Sequence, residues 1–132
     1  MRDGTLGYGE GCPRDYVTGE TLEGALAFVT RHSAIWLEEI YDLDTLATWV
    51  RAQRAEIDSN PAAWCAVELA LLDALSKQAG KTTESLLGLP GISGKLYYTA
   101  VIGDAPAQRF EAELARYRQA GFRDFKIKLS GD

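Results

Sequence analysis

Hydrophobic positions in the first two-thirds of the chain repeat with the period of an α-helix. Two segments carry one apolar stripe each, at i, i+3, i+4 and i+7. The stripes are Leu22, Ala25, Leu26 and Val29, then Leu43, Leu46, Ala47 and Val50. A third segment, residues 62–75, is apolar almost all round and is interrupted by Glu68 and Asp73. The pattern predicts three helices, with the third at the centre of their bundle and its two acids bonded to nearby backbone.

Polar residues mark where these elements start. Asp42 or Asp44 is a suitable N-cap for the second helix, and Asn60 followed by Pro61 is suitable for the third. Before the helices, residues 5–10 (TLGYGE) predict a short strand, and residues 11–19 predict a loop. The strand follows an Asp-Gly turn signal with only two residues before it, so the chain is expected to begin inside a hairpin.

The pattern changes after residue 92. A β-prone run at residues 96–102 (LYYTAVI) has no alternation, as in a strand buried on both faces. A helical stripe and a second β-prone run, residues 122–129 (FRDFKIKL), follow. A strand, a helix and a strand in this order predict a parallel βαβ unit with a right-handed crossover. Two parallel strands do not make a stable sheet, so the sheet is expected to be incomplete.

Composition excludes several classes of protein. The 132 residues are 46% hydrophobic and 25% charged, which suits one ordinary globular domain or a small domain with part of another. Fourteen basic and 19 acidic residues give a net charge of −5, with no basic stripe for a nucleic acid. We find no apolar run long enough for a membrane span and no signal-peptide core, and expect a cytoplasmic protein. Cys12 and Cys65 form neither a disulfide framework nor a zinc motif.

The sharpest chemical feature is the pair Lys126 and Lys128 on the second predicted strand. Residues two apart on a strand point to the same side, so both ammonium groups project together. Like charges this close destabilise each other, which favours a neutral amine able to act as a general base. The alternative interpretation is the polar face of an exposed strand. Thr99 lies on a face of the first predicted strand that could line the same interior.

Several motifs in sequence order resemble the enolase superfamily. They are GYGEGCP-x-x-YVTGE, AAWCAVELALLDALSKQAGK, LLGL, YYTAVI and GFRDFKIKL. Their combination is similar to the muconate cycloisomerase subgroup, which includes the dipeptide epimerases. The resemblance implies an α+β capping domain and a modified TIM barrel. Residues 1–92 would be a partial capping domain, a short strand plus a three-helix bundle. Residues 93–132 would be the first βαβ unit of the barrel.

The resemblance also implies a chemistry: a proton α to a carboxylate is abstracted and a magnesium ion stabilises the enediolate. It assigns the acid/base role to Lys128 and a neighbouring, charge-balancing role to Lys126. Thr99 matches a substrate-contacting position on the first barrel strand. A capping-domain loop that closes over the site and shapes specificity matches Arg14, Tyr16, Val17 and Thr18.

The departures from the family pattern are as informative as the matches. The three acidic magnesium ligands and the opposing lysine lie on later barrel strands of the family, and the first capping strand and its mobile loop are also missing. We therefore expect a piece of a longer enzyme, truncated at both ends and inactive alone. Magnesium is expected in the full-length parent and not on this chain. The expected substrate is a small carboxylate, a dipeptide or a muconate-like acid, and the YVTGE run slightly favours the dipeptide.

Two alternatives remain at this point. One is a non-catalytic helical module that acts through protein contacts, its unpaired strands completed by another copy. The other is a non-catalytic relative of the superfamily that ends where this sequence ends. Unpaired strand edges predict a homo-oligomer.

Overall fold

The computed structural model describes Met1 and residues 3–129, which form two compact units, Met1–Gly91 and Ile92–Asp132. The first unit is helical, and the second holds a small parallel sheet and one helix. The assignment of these units to a capping domain and to the start of a barrel stays a prediction.

Six helices form the described part of the first unit, and the three predicted ones are the longest. The bounds are α1 Asp15–Thr18, α2 Leu22–Glu39, α3 Leu43–Ala52, α4 Arg54–Asp58, α5 Pro61–Gln78 and α6 Thr83–Leu86. Helix α2 continues ten residues beyond the last position of its predicted stripe. His32 therefore lies inside the helix and is buried.

Aromatic rings fill the centre of this helical unit. Phe28 and Trp36 of α2 pack with Trp49 of α3 and Trp64 of α5, and all four are buried. Trp49 and Trp64 are stacked, with ring centroids 4.9 Å apart, and Trp36 meets Trp49 edge-on at 5.6 Å. Large aromatic side chains bury 150–250 Å² each and supply much of a small core's stabilisation. The three tryptophans are therefore core residues of this unit.

The two predicted helix caps behave differently. Asp42 caps α3: its carboxylate accepts from Thr45 N at 2.8 Å, and the Thr45 hydroxyl contacts Asp42 N at 3.1 Å in a reciprocal capping box. Asn60 stands at the N-cap position of α5 but makes no cap, because its side-chain amide donates instead to the carbonyl of Glu56 at 2.9 Å. The first amides of α5 therefore need an acceptor from elsewhere in the chain.

Residues 5–10 do not form the predicted strand. This segment lies along α5, antiparallel to it, with Gly7 against the carbonyl oxygen of Ala70 and Gly9 against that of Ala66. A Cβ at Gly9 would overlap Ala66 O and lie 2.7 Å from the amide nitrogen of Ala70. Glycine is required there because only a residue without a side chain allows this approach to the helix backbone.

Side chains of α5 satisfy the backbone of the same segment. Asp73 Oδ2 accepts from Tyr8 N at 2.8 Å, and Lys77 Nζ donates to Leu6 O at 3.1 Å and to Asp73 at 2.7 Å. The contact with Lys77, followed by the bond from Tyr8, lowers the pKa of Asp73. Asp73 therefore has the structural role that its place in an apolar helix predicted.

The Asp-Gly signal does form a turn. Gly4 has φ +85° and donates its N–H to the carbonyl of Met1 at 3.1 Å. The side chain of Gln78 donates to Asp3 at 2.9 Å, and with bonds from Thr5 this lowers the pKa of Asp3 to about 2. Arg2, which precedes the Asp-Gly pair, lies outside the described residues.

The second unit contains the predicted strand, helix and strand. They are β1 Ala100–Ile102, α7 Ala107–Gln119 and β2 Phe125–Ile127, and β1 pairs with β2 in parallel. The strands are shorter than the predicted runs. Helix α7 packs on β1, and Ala100 and Ile102 are buried while Val101 between them is 45% exposed. The prediction that this strand is buried on both faces is therefore wrong for this chain, since α7 covers one face.

Candidate functional site

The parallel ladder determines the face on which the two lysines lie. Lys126 is paired with Val101, and the Lys128 amide extends the ladder by donating to Ile102 O at 3.0 Å. Paired residues of neighbouring strands share a face, and so do residues two apart. Lys126 and Lys128 are therefore on the side of Val101, opposite the buried Ala100, and both are exposed. Their exposure is what the alternative interpretation, the polar face of an exposed strand, predicts, and the catalytic role of the pair stays a prediction.

Thr99 is on the same face but at the other end of the sheet. It precedes the first residue of β1 and, by the observed register, lies level with Asp124. Lys128 is four residues beyond that level, a separation of roughly 13 Å along the strand direction. Thr99 is therefore not a neighbour of Lys128, and Gly103 is the position of that face nearest to it.

The second unit also has a cavity of about 680 Å³, which lies away from the lysines. It is lined by residues before β1, such as Tyr97 and Tyr98, and before β2, such as Phe122 and Arg123. These residues mark the amino ends of the strands. Lys128 is at the opposite, carboxyl end of the sheet, so the lysines do not line this cavity.

The other predicted site residues belong to the first unit, on the segment around α1. Tyr16 and Val17 are 80% and 64% exposed, so two apolar side chains form an open surface. Arg14 precedes the helix, and its Nε donates to Cys12 Sγ at 3.3 Å, which raises the pKa of the guanidinium. Thr18 directs its hydroxyl to the carbonyl of Arg14 at 3.2 Å. Arg14 and Thr18 thus shape the segment that presents Tyr16 and Val17.

Sequence reasoning missed Glu20, the residue that attaches this segment to the helical core. Its carboxylate accepts from Ala62 N at 2.8 Å and from Ala63 N at 3.0 Å, and the residue is only 6% exposed. Burial by itself would raise the pKa of Glu20, but the bonds from the amides of Ala63 and Ala62 outweigh it and lower that pKa. The carboxylate is therefore stabilised in its charged form at the start of α5, where the helix dipole also favours an anion.

Residues 1 and 3–129 contain no group of three or more histidine, cysteine or acidic side chains that could hold a metal ion. None of the helices in this part of the chain is both long and apolar enough to cross a membrane.

Curated enzymes match nearly the whole chain. It is 35% identical to an L-Lys-D/L-Arg epimerase of Methylococcus capsulatus and 32% identical to a hydrophobic dipeptide epimerase of Citrifermentans bemidjiense. An aromatic dipeptide epimerase of Herpetosiphon aurantiacus is 33% identical. These alignments cover 98%, 99% and 99% of this chain but 36% of each enzyme.

The chain was also compared with models of protein families and with solved structures. No family model matches the chain, and no solved structure matches it. The chain thus spans about a third of the length of the curated relatives, all of which are named as epimerases or racemases. The sequence resemblance to the enolase superfamily, in the subgroup that contains the dipeptide epimerases, is confirmed, and it extends along about a third of such an enzyme.

Proposed function

We propose that this chain is part of a dipeptide epimerase, in which Lys128 is an acid/base residue and Lys126 is its neighbouring cation. The observation that supports the proposal most directly is the strand register. It puts both ammonium groups on the face of β2 opposite the buried side of β1, with Lys128 at the carboxyl end. The relatives are named as epimerases, and these names support the proposed class of reaction.

The proposed step is a proton transfer. The neutral amine of Lys128 takes the proton from the carbon α to the substrate carboxylate, and the C–H electron pair remains on the substrate as an enediolate. Return of a proton to the opposite face inverts the configuration. The Lys126 ammonium lowers the energy of the anionic intermediate, because it is a positive charge on the same strand face.

The opposite-face acid and the magnesium ion are expected from other parts of the full enzyme. The described residues offer no cluster of acidic ligands, so this part of the chain does not fit a metal ion. We extend the substrate-binding proposal to Arg14, Tyr16, Val17 and Thr18, and to Thr99, from the family motifs. For Thr99 the contact would be with a part of the substrate remote from the proton that Lys128 removes.

The substrate class is a dipeptide, since the most similar enzymes are named for dipeptides with cationic, hydrophobic or aromatic residues. The exposed Tyr16 and Val17 favour an apolar substrate side chain at this loop. The alternative of a self-associating helical module has no support from relatives, which are all named enzymes.

The test starts with the coding sequence in frame on both sides of this segment. The product of the longest reading frame is incubated in D₂O with Mg²⁺ and one dipeptide of each class, and exchange of the α-proton is followed by NMR. We expect exchange with at least one dipeptide, and none with the 132-residue chain alone. Lys128→Ala should slow exchange by about 10²–10⁴-fold, the usual contribution of a general base.

Lys95→Ala is the matched control, because Lys95 lies before β1 at the opposite end of the sheet. It should leave the exchange rate within about twofold of the unmodified enzyme. Unchanged exchange in Lys128→Ala, or an equal loss in both variants, would contradict the assignment of Lys128.

A further inference from the structure

Both ends of the segment that carries Tyr16 and Val17 meet the same turn of α5. At one end Gly11 packs against the carbonyl oxygen of Ala62, so closely that a Cβ there would overlap it. At the other end Glu20 binds the amide of Ala62 at 2.8 Å. Residues 12–19 therefore form a closed loop whose base is the start of α5.

The Glu20 contact replaces a cap that the local sequence does not provide. The first amides of a helix have no partner within the helix, and Asn60 directs its side chain elsewhere. Glu20 supplies both of its oxygens, one to Ala62 and one to Ala63, across more than 40 residues of chain. A nearly buried carboxylate held by two amides has a fixed position, because moving it would leave a charge unpaired in the core.

The loop has little order of its own apart from its ends. Helix α1 is a single turn of four residues, and isolated helices this short are not stable in water. Its bonds, from Val17 N and Thr18 N to Arg14 O at 3.0 and 2.9 Å, are exposed to solvent. Gly19, between α1 and Glu20, has φ +73° and directs the chain back towards α5. The anchors at Gly11 and Glu20 must therefore supply the order of the loop.

We propose that Glu20 is a positioning residue that holds residues 12–19 in one conformation and so presents Tyr16 and Val17 to a ligand. The part of this proposal that concerns substrate binding rests on the proposed function, whereas the effect of Glu20 on the order of the loop does not. Loss of the anchor weakens substrate binding more than proton transfer, because the loop is remote in sequence from Lys128 and contributes ordered surface, not an acid or base.

The experiment compares Glu20→Gln with Glu23→Gln in the 132-residue chain. Glutamine keeps the shape of Glu20 but turns an NH₂ group towards one of the two α5 amides. Glu23 is exposed in the first turn of α2, so its variant loses the same charge nearby. Amide hydrogen exchange by NMR at Val17, Thr18 and Gly19 should be at least tenfold faster in Glu20→Gln and unchanged in Glu23→Gln.

Amides in the middle of α5, such as that of Leu71, report whether the helical unit remains folded. Unchanged loop exchange in a folded Glu20→Gln variant would overturn the proposal. If that variant unfolds, Glu20→Asp decides, since it keeps the charge on a shorter side chain. Faster loop exchange with normal exchange at Leu71 supports the proposal, and loop exchange equal to that of the unmodified chain overturns it.

A second measurement, of KM and kcat, separates the role of Glu20 from the proposed epimerase activity. In the full reading-frame product, Glu20→Gln should raise KM at least fivefold and change kcat less than twofold, with partial rescue by Glu20→Asp. A loosened loop with an unchanged KM would refute the substrate role of the loop and leave the anchor intact. A rigid loop in Glu20→Gln would refute the anchor itself, whatever the enzyme does.

Discussion

The indole ring of Trp49 lies on that of Trp64 with the ring planes 20° apart and the centroids 4.9 Å apart. This stack joins α3 to α5, and both rings are buried. Removing either ring leaves a cavity that the neighbouring helices cannot fill without moving.

Trp49→Ala is expected to lower the free energy of unfolding by about 3–5 kcal/mol, the usual cost of deleting a buried aromatic side chain. Urea unfolding followed by far-UV circular dichroism measures the change. Tyr41→Ala is the control, because Tyr41 is 69% exposed, and it should alter stability by less than about 0.5 kcal/mol. Similar losses in both variants would show that the stack contributes nothing special.

Gly9→Ala should destabilise the first unit by about 1–3 kcal/mol, the range found when a methyl group is forced into a packed site. The added Cβ would overlap Ala66 O, which belongs to a helix and cannot move aside alone. Gly91→Ala is the matched control for Gly9→Ala, since no atom lies within 4 Å of a Cβ at Gly91. Thermal unfolding of the two variants measures the difference, and equal melting temperatures would refute the close approach of Gly9 to the carbonyl oxygen of Ala66.

Asp42→Ala removes the capping box of α3 and should cost about 1 kcal/mol. Asp44→Ala removes a neighbouring charge in the same first turn without removing that cap, so a loss of only about 0.3 kcal/mol is expected. Denaturant midpoints of the two variants give the difference. A larger effect at Asp44 would mean that the charge, and not the cap, stabilises this end of the helix.

The stability of the chain should fall in acid, and Glu20 should account for part of the fall. Its pKa is lower in the folded state than its ordinary value of 4.5, so its contribution is fully present above pH 4.5 and is lost as the pH drops through the folded value. The stability difference between the unmodified chain and Glu20→Gln should therefore be largest near neutral pH and shrink below pH 4.5. Urea unfolding midpoints of both proteins at pH 7, 5, 4 and 3 test this. A stability difference between them that grows as the pH falls would contradict the prediction.

The predictions that succeeded rest on local patterns. A stripe at i, i+3, i+4 and i+7 needs no distant partner to be recognised, and α2 and α3 formed where it occurred. Helix α5 formed over the run that is apolar almost all round. The order of strand, helix and strand likewise predicted the parallel pairing of β1 with β2. The family resemblance added the chemistry, which none of these patterns contains.

The errors arose where a distant segment replaced a local partner. Asn60 has the right residue type and position for a cap, yet Glu20, which is 42 residues before Ala62, takes the role. Residues 5–10 have a strand-like composition but pack on a helix. The alternation of Gly7 and Gly9 with Gly11 was the available signal, since every second residue of an extended segment faces the same surface.

The glycine contacts with α5 have a built-in limit of length. Two residues of extended chain advance about 6.6 Å, whereas the four helix residues between successive contacts advance about 6.0 Å. The repeat of the extended segment and the repeat of the helix differ by only about 0.6 Å at each step, so three glycines in succession can follow the helix backbone. Gly11, the last of the three, already meets Ala62 in the first turn of α5. A further contact four residues earlier would fall before Pro61, where the helix begins, so the start of α5 determines where the loop can begin.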